Sequence, residues 1–194
     1  MLFVLPDKRS RLFVGYLMIG ALVCLIAGAL NTLLLQLSDG DMLYVTTTIT
    51  PVSEEILKAL PVLYLAIFFT DDRDTLLSAA FALGVGFAVL ENAVILAQNP
   101  AGVSIGWALA RVIGAALMHS ACTSTIGLGM SYINKRRKLF FCGTLSLLIT
   151  AILFHATFNV LVQSSYRIAA FILPISLYLP VIVGRLRARK KDDQ

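Results

Sequence analysis

LFVGYLMIGALVCLIAGALNTLLLQL, residues 12–37, runs for 26 residues without a charge. A helix on a soluble domain carries a polar stripe along one face, and this run has no charged stripe to offer. At ~1.5 Å per residue it reaches ~39 Å, more than the ~30 Å hydrocarbon core of a bilayer. It reads as a transmembrane helix. Secretory signals have apolar cores of only ~7–15 residues, so this run is expected to stay in the mature chain as a first span. Outward from it, the pattern recurs at residues 42–69, 75–97, 105–133, 139–163 and 168–184, with short polar breaks between. The expected fold is therefore all-α, a polytopic transmembrane bundle of about six helices. It forms a single integral membrane domain over residues 1–194, with a motif-bearing core at 51–163 and a charged tail at 185–194.

Composition agrees. Of 194 residues, 58% are hydrophobic and 14% charged, against about 25% charged in an ordinary soluble domain. Mean hydropathy is +0.85. A soluble protein leaves roughly a third of its unfolded surface exposed, which such a chain could not cover. A soluble enzyme, a disordered chain and a nucleic-acid-binding module are excluded. The net charge of +5 is placed by the membrane rather than by a nucleic-acid partner. Lys8, Arg9, Arg11, Arg73, Lys135, Arg136, Arg137, Lys138, Arg185, Arg187, Arg189, Lys190 and Lys191 all fall on one side of the alternating spans, and only Arg167 falls on the other. That bias places both termini in the cytoplasm and the chain in the cell (inner) membrane as a multi-pass protein.

The run at 42–69 contains Pro51, and residues 43–50 are rich in threonine and β-branched side chains. They predict an extended or broken piece leading into a helix near Ser53, shielded by protein or a water-filled cavity. The third run carries Ala80, Gly84 and Gly86/Ala88, small residues suited to close helix packing. Cys24, Cys122 and Cys142 fall within runs at no metal-ligand spacing and read as small hydrophobes.

Ionisable groups inside spans are costly and point to function. They are Glu54, Glu55, Lys58, Glu91, Arg111, His119 and His155, accompanied by Asn92 and Asn159. Counted from the cytoplasmic ends of four successive runs, Glu54, Glu91, His119 and His155 lie ~21–24 Å deep, in one layer nearer the outside. Arg111 lies ~33 Å along its run and reads as a residue of the outer interface. Glu54 with Lys58, Phe87 with Glu91, His119 with Thr123 and His155 with Asn159 are each spaced i, i+4, so every helix presents a stripe. A Glu54–Lys58 ion pair is geometrically easy.

Adjacent carboxylates in a low dielectric cannot both ionise cheaply, and they titrate as a coupled pair. Such a pair suits deprotonation of water, while imidazoles and an amide can donate to an oxyanion. Together they make a hydrolytic site for an amide bond. Ser120 follows His119 without the context of a nucleophile, and every aspartate lies in a loop or tail. Two alternatives use the same residues. Glu54/Glu55, Glu91, His119 and His155 offer the mixed N/O set zinc accepts, though no HExxH spacing is present and no cofactor is firmly implied. Buried Glu, His and Lys also build proton-coupled transporters or channels, without the internal repeat usual there.

Read together, Glu54-Glu55-x-x-Lys58 (EExxK), Phe87-x-x-x-Glu91-Asn92 (FxxxEN), the His119 HxxxT stretch and His155-x-x-x-Asn159 (HxxxN) resemble the PrsW family of intramembrane proteases. That family is related to the CAAX prenyl proteases and bacteriocin-processing enzymes. The resemblance spans about residues 51–159 and implies a glutamate-dependent endopeptidase acting on membrane-associated proteins, with an anti-sigma factor as the usual type of substrate. It implies Glu54 or Glu55 as general base, tuned by Lys58, and His155 with Asn159 as an oxyanion-binding pair. Glu91 stands where the CAAX branch has histidine, which argues against a prenylated substrate and implies Glu91 with His119 as a second water-positioning pair.

Overall fold

The computed structural model describes residues 7–98, 104–166 and 168–179. All regular elements among these residues are helical, with no strand. Helix α1 (Lys8–Leu37) begins at Asp7, whose carboxylate accepts the backbone N–H of Ser10 at 2.6 Å and so satisfies one of the free N–H groups of the first turn. A tight turn with positive φ at Asp39 and Gly40 reverses the chain. Helix α2 (Met42–Tyr44) runs through a π-helical turn, Val45–Ile49, into α3 (Thr50–Phe68). Helix α4 (Arg73–Gln98) is capped by Asp72, which accepts from the backbone and hydroxyl of Thr75 at 2.8 and 2.6 Å. Helix α5 (Ile105–Met130) follows, then a second π-helical turn at Leu139–Gly143, α6 (Thr144–Gln163) and a shorter apolar helix α7 (Ile168–Leu179).

Among the described residues, four helical stretches are long and apolar enough to cross a membrane: Lys8–Leu37, Arg73–Gln98, Arg111–Met130 and Leu139–Gln163. The 19-residue α3 carries Glu54, Glu55 and Lys58 within its length. Arg167, residues 180–184 of the sixth run and the tail at 185–194 lie outside the described residues.

Polarity is inverted relative to a soluble protein. Leu22, Ile26, Leu33, Leu145, Ile149 and Leu153 face outward, whereas Glu54, Glu55, Lys58, His119 and His155 are buried. Lipid tolerates the first set, and the helix bundle shelters the second. This is the arrangement of a multi-pass membrane protein.

Helix α4 is the centre of the packing and lies against both α1 and α5. The small residues of its run serve two faces, because residues two apart on a helix point nearly opposite ways. Gly86 meets the backbone of Leu17 on α1, and Gly20 of α1 meets Leu83 in return. Gly84 meets the backbone of His119 and Ser120 on α5, and Ala80 faces Gly127 one turn further along. A Cβ at Gly84 would lie 2.5 Å from Ser120 Cα, so the approach is available to glycine alone.

Residues 43–50 are helical rather than extended. Thr46 and Thr47 return their hydroxyls to the carbonyls of Met42 and Leu43, both at 2.7 Å, which satisfies the side chains within a helix. Pro51 still interrupts the ladder, as the sequence requires, because it has no N–H to give. The interruption takes the form of the π turn, in which the Thr50 N–H reaches back to the Val45 carbonyl. That skips the carbonyl of Thr46, and Asn159 on α6 supplies the missing donor: its Nδ2 reaches Thr46 O at 2.9 Å.

Candidate active site

Helix α3 projects Glu54, Glu55 and Lys58 into the bundle, α4 adds Phe87 and Glu91, α5 adds His119 and α6 adds His155. Lys58 is fully buried, and its Nζ donates to Glu55 Oε1 at 2.6 Å. The ion pair thus forms at i, i+3 with Glu55 and not with Glu54 as the spacing alone suggests. Two contacts explain the choice: Glu54 Oε1 is engaged by Asn31 of α1 at 3.2 Å, and Lys58 is drawn toward His119, whose Nδ1 is 2.8 Å from Nζ. The Lys58 ammonium also sits 4.7 Å above the centre of the Phe87 ring. Phe87 packs its ring against His119 at 5.0 Å.

Donor and acceptor counting assigns the histidine tautomers. An ammonium can only donate, so His119 Nδ1 accepts from Lys58. Its Nε2 then carries the proton and donates to Glu91 Oε2 at 2.9 Å. Glu55 Oε1 already accepts from Lys58 and also receives Nδ1–H of His155 at 2.8 Å. In the neutral tautomer this makes His155 Nε2 the acceptor of the ring. That nitrogen lies 3.8 Å from Glu54 Oε2, too far for a direct hydrogen bond. Glu54 Oε2 is buried with no hydrogen-bond partner. The two imidazoles meet edge to face at 4.8 Å, closing the cluster.

The two adjacent glutamates therefore differ. Glu55 is tied to Lys58 and His155, and it orients the imidazole. Glu54 is tied through one oxygen only, and the other faces His155. Glu91 is the most exposed of the three glutamates, its side chain 26% exposed against 6% for Glu54 and 0% for Glu55. Arg111, set apart by the sequence reading, is close enough for its charge to act on Glu91.

The structure thus gathers Glu54, Glu55, Lys58, Phe87, Glu91, His119 and His155. It does not bring the other two expected residues to the carboxylates. Asn92 is buried and donates to the Ala88 carbonyl of its own helix at 2.8 Å, and Asn159 holds the π turn. Sequence reasoning passed over Asn31, an amide in an otherwise apolar run, and Ser53, whose hydroxyl donates to Asn31 Oδ1 at 2.7 Å. The available signal was the cost of an amide in a span, which makes a partner obligatory.

Glu54, His119 and His155 each offer one ligand atom, and these lie within 4.8 Å of one another, all buried. The donor set is one zinc accepts. Glu54 Oε2 lacks a partner and His155 is oriented by Glu55 through its other nitrogen, the outer support that metal-bound histidines use. His119 joins such a set by releasing Lys58 or Glu91.

The sequence model of the PrsW family, described as "PrsW family intramembrane metalloprotease", matches residues 8–185. No curated protein and no solved structure matches the chain. The match covers nearly the whole sequence, and the chain belongs to this family of intramembrane proteases.

Proposed function

We propose that this PrsW-family protease hydrolyses a peptide bond of a membrane-associated protein with water activated by Glu54. One observation carries the reading: a buried, unpartnered carboxylate oxygen faces an imidazole nitrogen across 3.8 Å. The attacking water is seated between these two atoms. Glu54 Oε2 takes a proton from this water as its oxygen bonds to the scissile carbonyl carbon, while His155 Nε2 accepts its second hydrogen as a hydrogen bond. His119 Nε2–H turns from Glu91 to the developing oxyanion, helped by the Lys58 charge behind its ring. As the C–N bond breaks, the proton passes from Glu54 to the leaving nitrogen. Glu55 holds His155 in the required tautomer, and Asn159 keeps the start of α3 in place.

The family description names a metal, and the residues fit one. Glu54, His119 and His155 would hold it. When bound it would supply Lewis-acid polarisation of the carbonyl and a more acidic water. In that case the same geometry serves ligation, with Glu55 and Glu91 supporting the histidines. Activity of purified protein after chelator dialysis, read beside elemental analysis, decides between the glutamate-only and metal readings.

The fold in this proposal has six spans, both termini in the cytoplasm of the inner membrane and a single domain whose working core is 51–163, as the 13-to-1 placement of basic residues supports. The family resemblance implies an anti-sigma-factor-like substrate cut near its extracytoplasmic side, and the depth of the site counted along the sequence agrees with that sidedness. The test compares membrane proteomes of wild-type, deletion and Glu54→Gln strains. A membrane protein should accumulate uncut in the latter two. If Glu54→Gln, Glu55→Gln and the double variant all restore cleavage to the deletion strain, the mechanism is wrong.

A further inference from the structure

Helix α1 supplies one polar contact to the site. Asn31 Nδ2 donates to Glu54 Oε1 at 3.2 Å. An amide can present either its N–H or its C=O face, and its two neighbours together assign them. The Ser53 hydroxyl approaches Asn31 Oδ1 at 2.7 Å, with the Thr50 carbonyl as its other acceptor at 3.0 Å. An ionised Glu54 can only accept, which assigns the N–H face to it, and the Ser53 hydroxyl then gives its one proton to Oδ1 at the shorter of its two distances.

The terminal torsion of a glutamate is broad and roughly two-fold, so an unrestrained carboxylate exchanges its two oxygens readily. Glu54 has one oxygen held by Asn31 and the other unpartnered before His155. We propose that Asn31, locked by Ser53, is a positioning residue that pins Oε1 of Glu54 and so dedicates Oε2 to the reacting water. This rests on the reading of Glu54 as the group that acts on water. It makes the site incomplete without the first span, which lies outside the EExxK, FxxxEN and HxxxN motifs. The plain alternative is an interhelical tie between α1 and α3, worth something to stability and nothing to chemistry.

The experiment uses the full chain in detergent with fluorescently labelled casein as the probe. Asn31→Leu keeps the size but loses both polar contacts without adding a charge, and Asn31→Ala loses them together with the volume. Each should lower kcat by about 10- to 100-fold, the usual effect of removing a hydrogen bond to a charged or ligating group, with KM and melting temperature little changed. Ser53→Ala should cost several-fold in kcat, and Ser53→Thr, which keeps the hydroxyl, should restore it. A second readout needs no substrate. In protein labelled with 15N-asparagine, the Asn31 amide resonance, identified by its loss in Asn31→Ala, should move in Glu54→Gln and in Ser53→Ala and stay in Glu55→Gln. Wild-type kcat in both Asn31 variants overturns the proposal, as does a loss confined to melting temperature. An Asn31 resonance indifferent to Glu54→Gln overturns it even if casein is not cut. Wild-type turnover by Glu54→Gln instead defeats the underlying reading, which separates the two failures.

Discussion

Adding one methyl group at Gly84 should disable the site from a distance. The new Cβ would stand 2.5 Å from Ser120 Cα, 2.6 Å from the His119 carbonyl oxygen and 2.7 Å from its carbon. Ordinary contacts begin at 3.4 Å, so α4 and α5 must part by about 0.9 Å. All three obstacles are backbone, and no side chain can swing aside. The separation falls at His119 itself. Applied to its 2.9 Å bond with Glu91, it gives about 3.8 Å, beyond a hydrogen bond. Overpacking of this kind costs about 1–3 kcal/mol, and misplacing a reacting group by about 1 Å costs about 100-fold in rate. Gly84→Ala should therefore lower the melting temperature by several degrees and turnover by about two orders of magnitude. Gly28→Ala is the control, since a Cβ there meets nothing within 4 Å. Both variants are measured by thermal unfolding in detergent and by turnover of the accumulated substrate. If Gly84→Ala melts and cleaves like wild type, the close approach does not position His119.

Lys58→Met should destabilise the protein by about 3–5 kcal/mol, because it strands Glu55 without its cation in the buried core, and adding Glu55→Gln should recover part of the loss in chemical unfolding. Asn159→Ala should cost about 1–3 kcal/mol by orphaning the Thr46 carbonyl, and Pro51→Ala in the same chain should relieve that loss by supplying an N–H that can reach the Thr46 carbonyl five residues back. Asp72 is held below the usual carboxylate range by hydrogen bonds from the Thr75 hydroxyl and backbone. Its cap on α4 is therefore fully present above the ordinary value of about 3.9 and fades as pH falls through the lower folded value. Melting curves taken at falling pH should lose this part of their acid dependence in Asp72→Ala.

The sequence reveals the membrane-spanning character and most of the cluster for a physical reason. Burying Glu54, His119 or His155 in a span is expensive, and few structural roles repay it at one common depth. Side chains with two plausible partners are harder to read. Glu54 and Glu55 both lie within reach of Lys58, and the choice falls to Asn31 and His119, on helices 23 and 61 residues away in sequence. Threonine-rich residues 43–50 look extended by composition, yet hydroxyl bonds to the preceding turn are invisible to a propensity count. Gly84 and Gly86 look like one packing stripe, but one serves α5 and the other α1. In each case the deciding contact comes from a helix distant in the chain.

The π turn at Val45–Ile49 has a consequence for chain length. Such a turn is an α-helix carrying one extra residue. Deleting one residue between Thr47 and Thr50 would return the segment to α-helical register and leave the residues on either side facing much as they do now. The residue four places after Thr46 would then be Pro51, which has no N–H, so the Thr46 carbonyl would still need the amide of Asn159. The proline at 51, and not the number of residues before it, is what commits Asn159 to the helix.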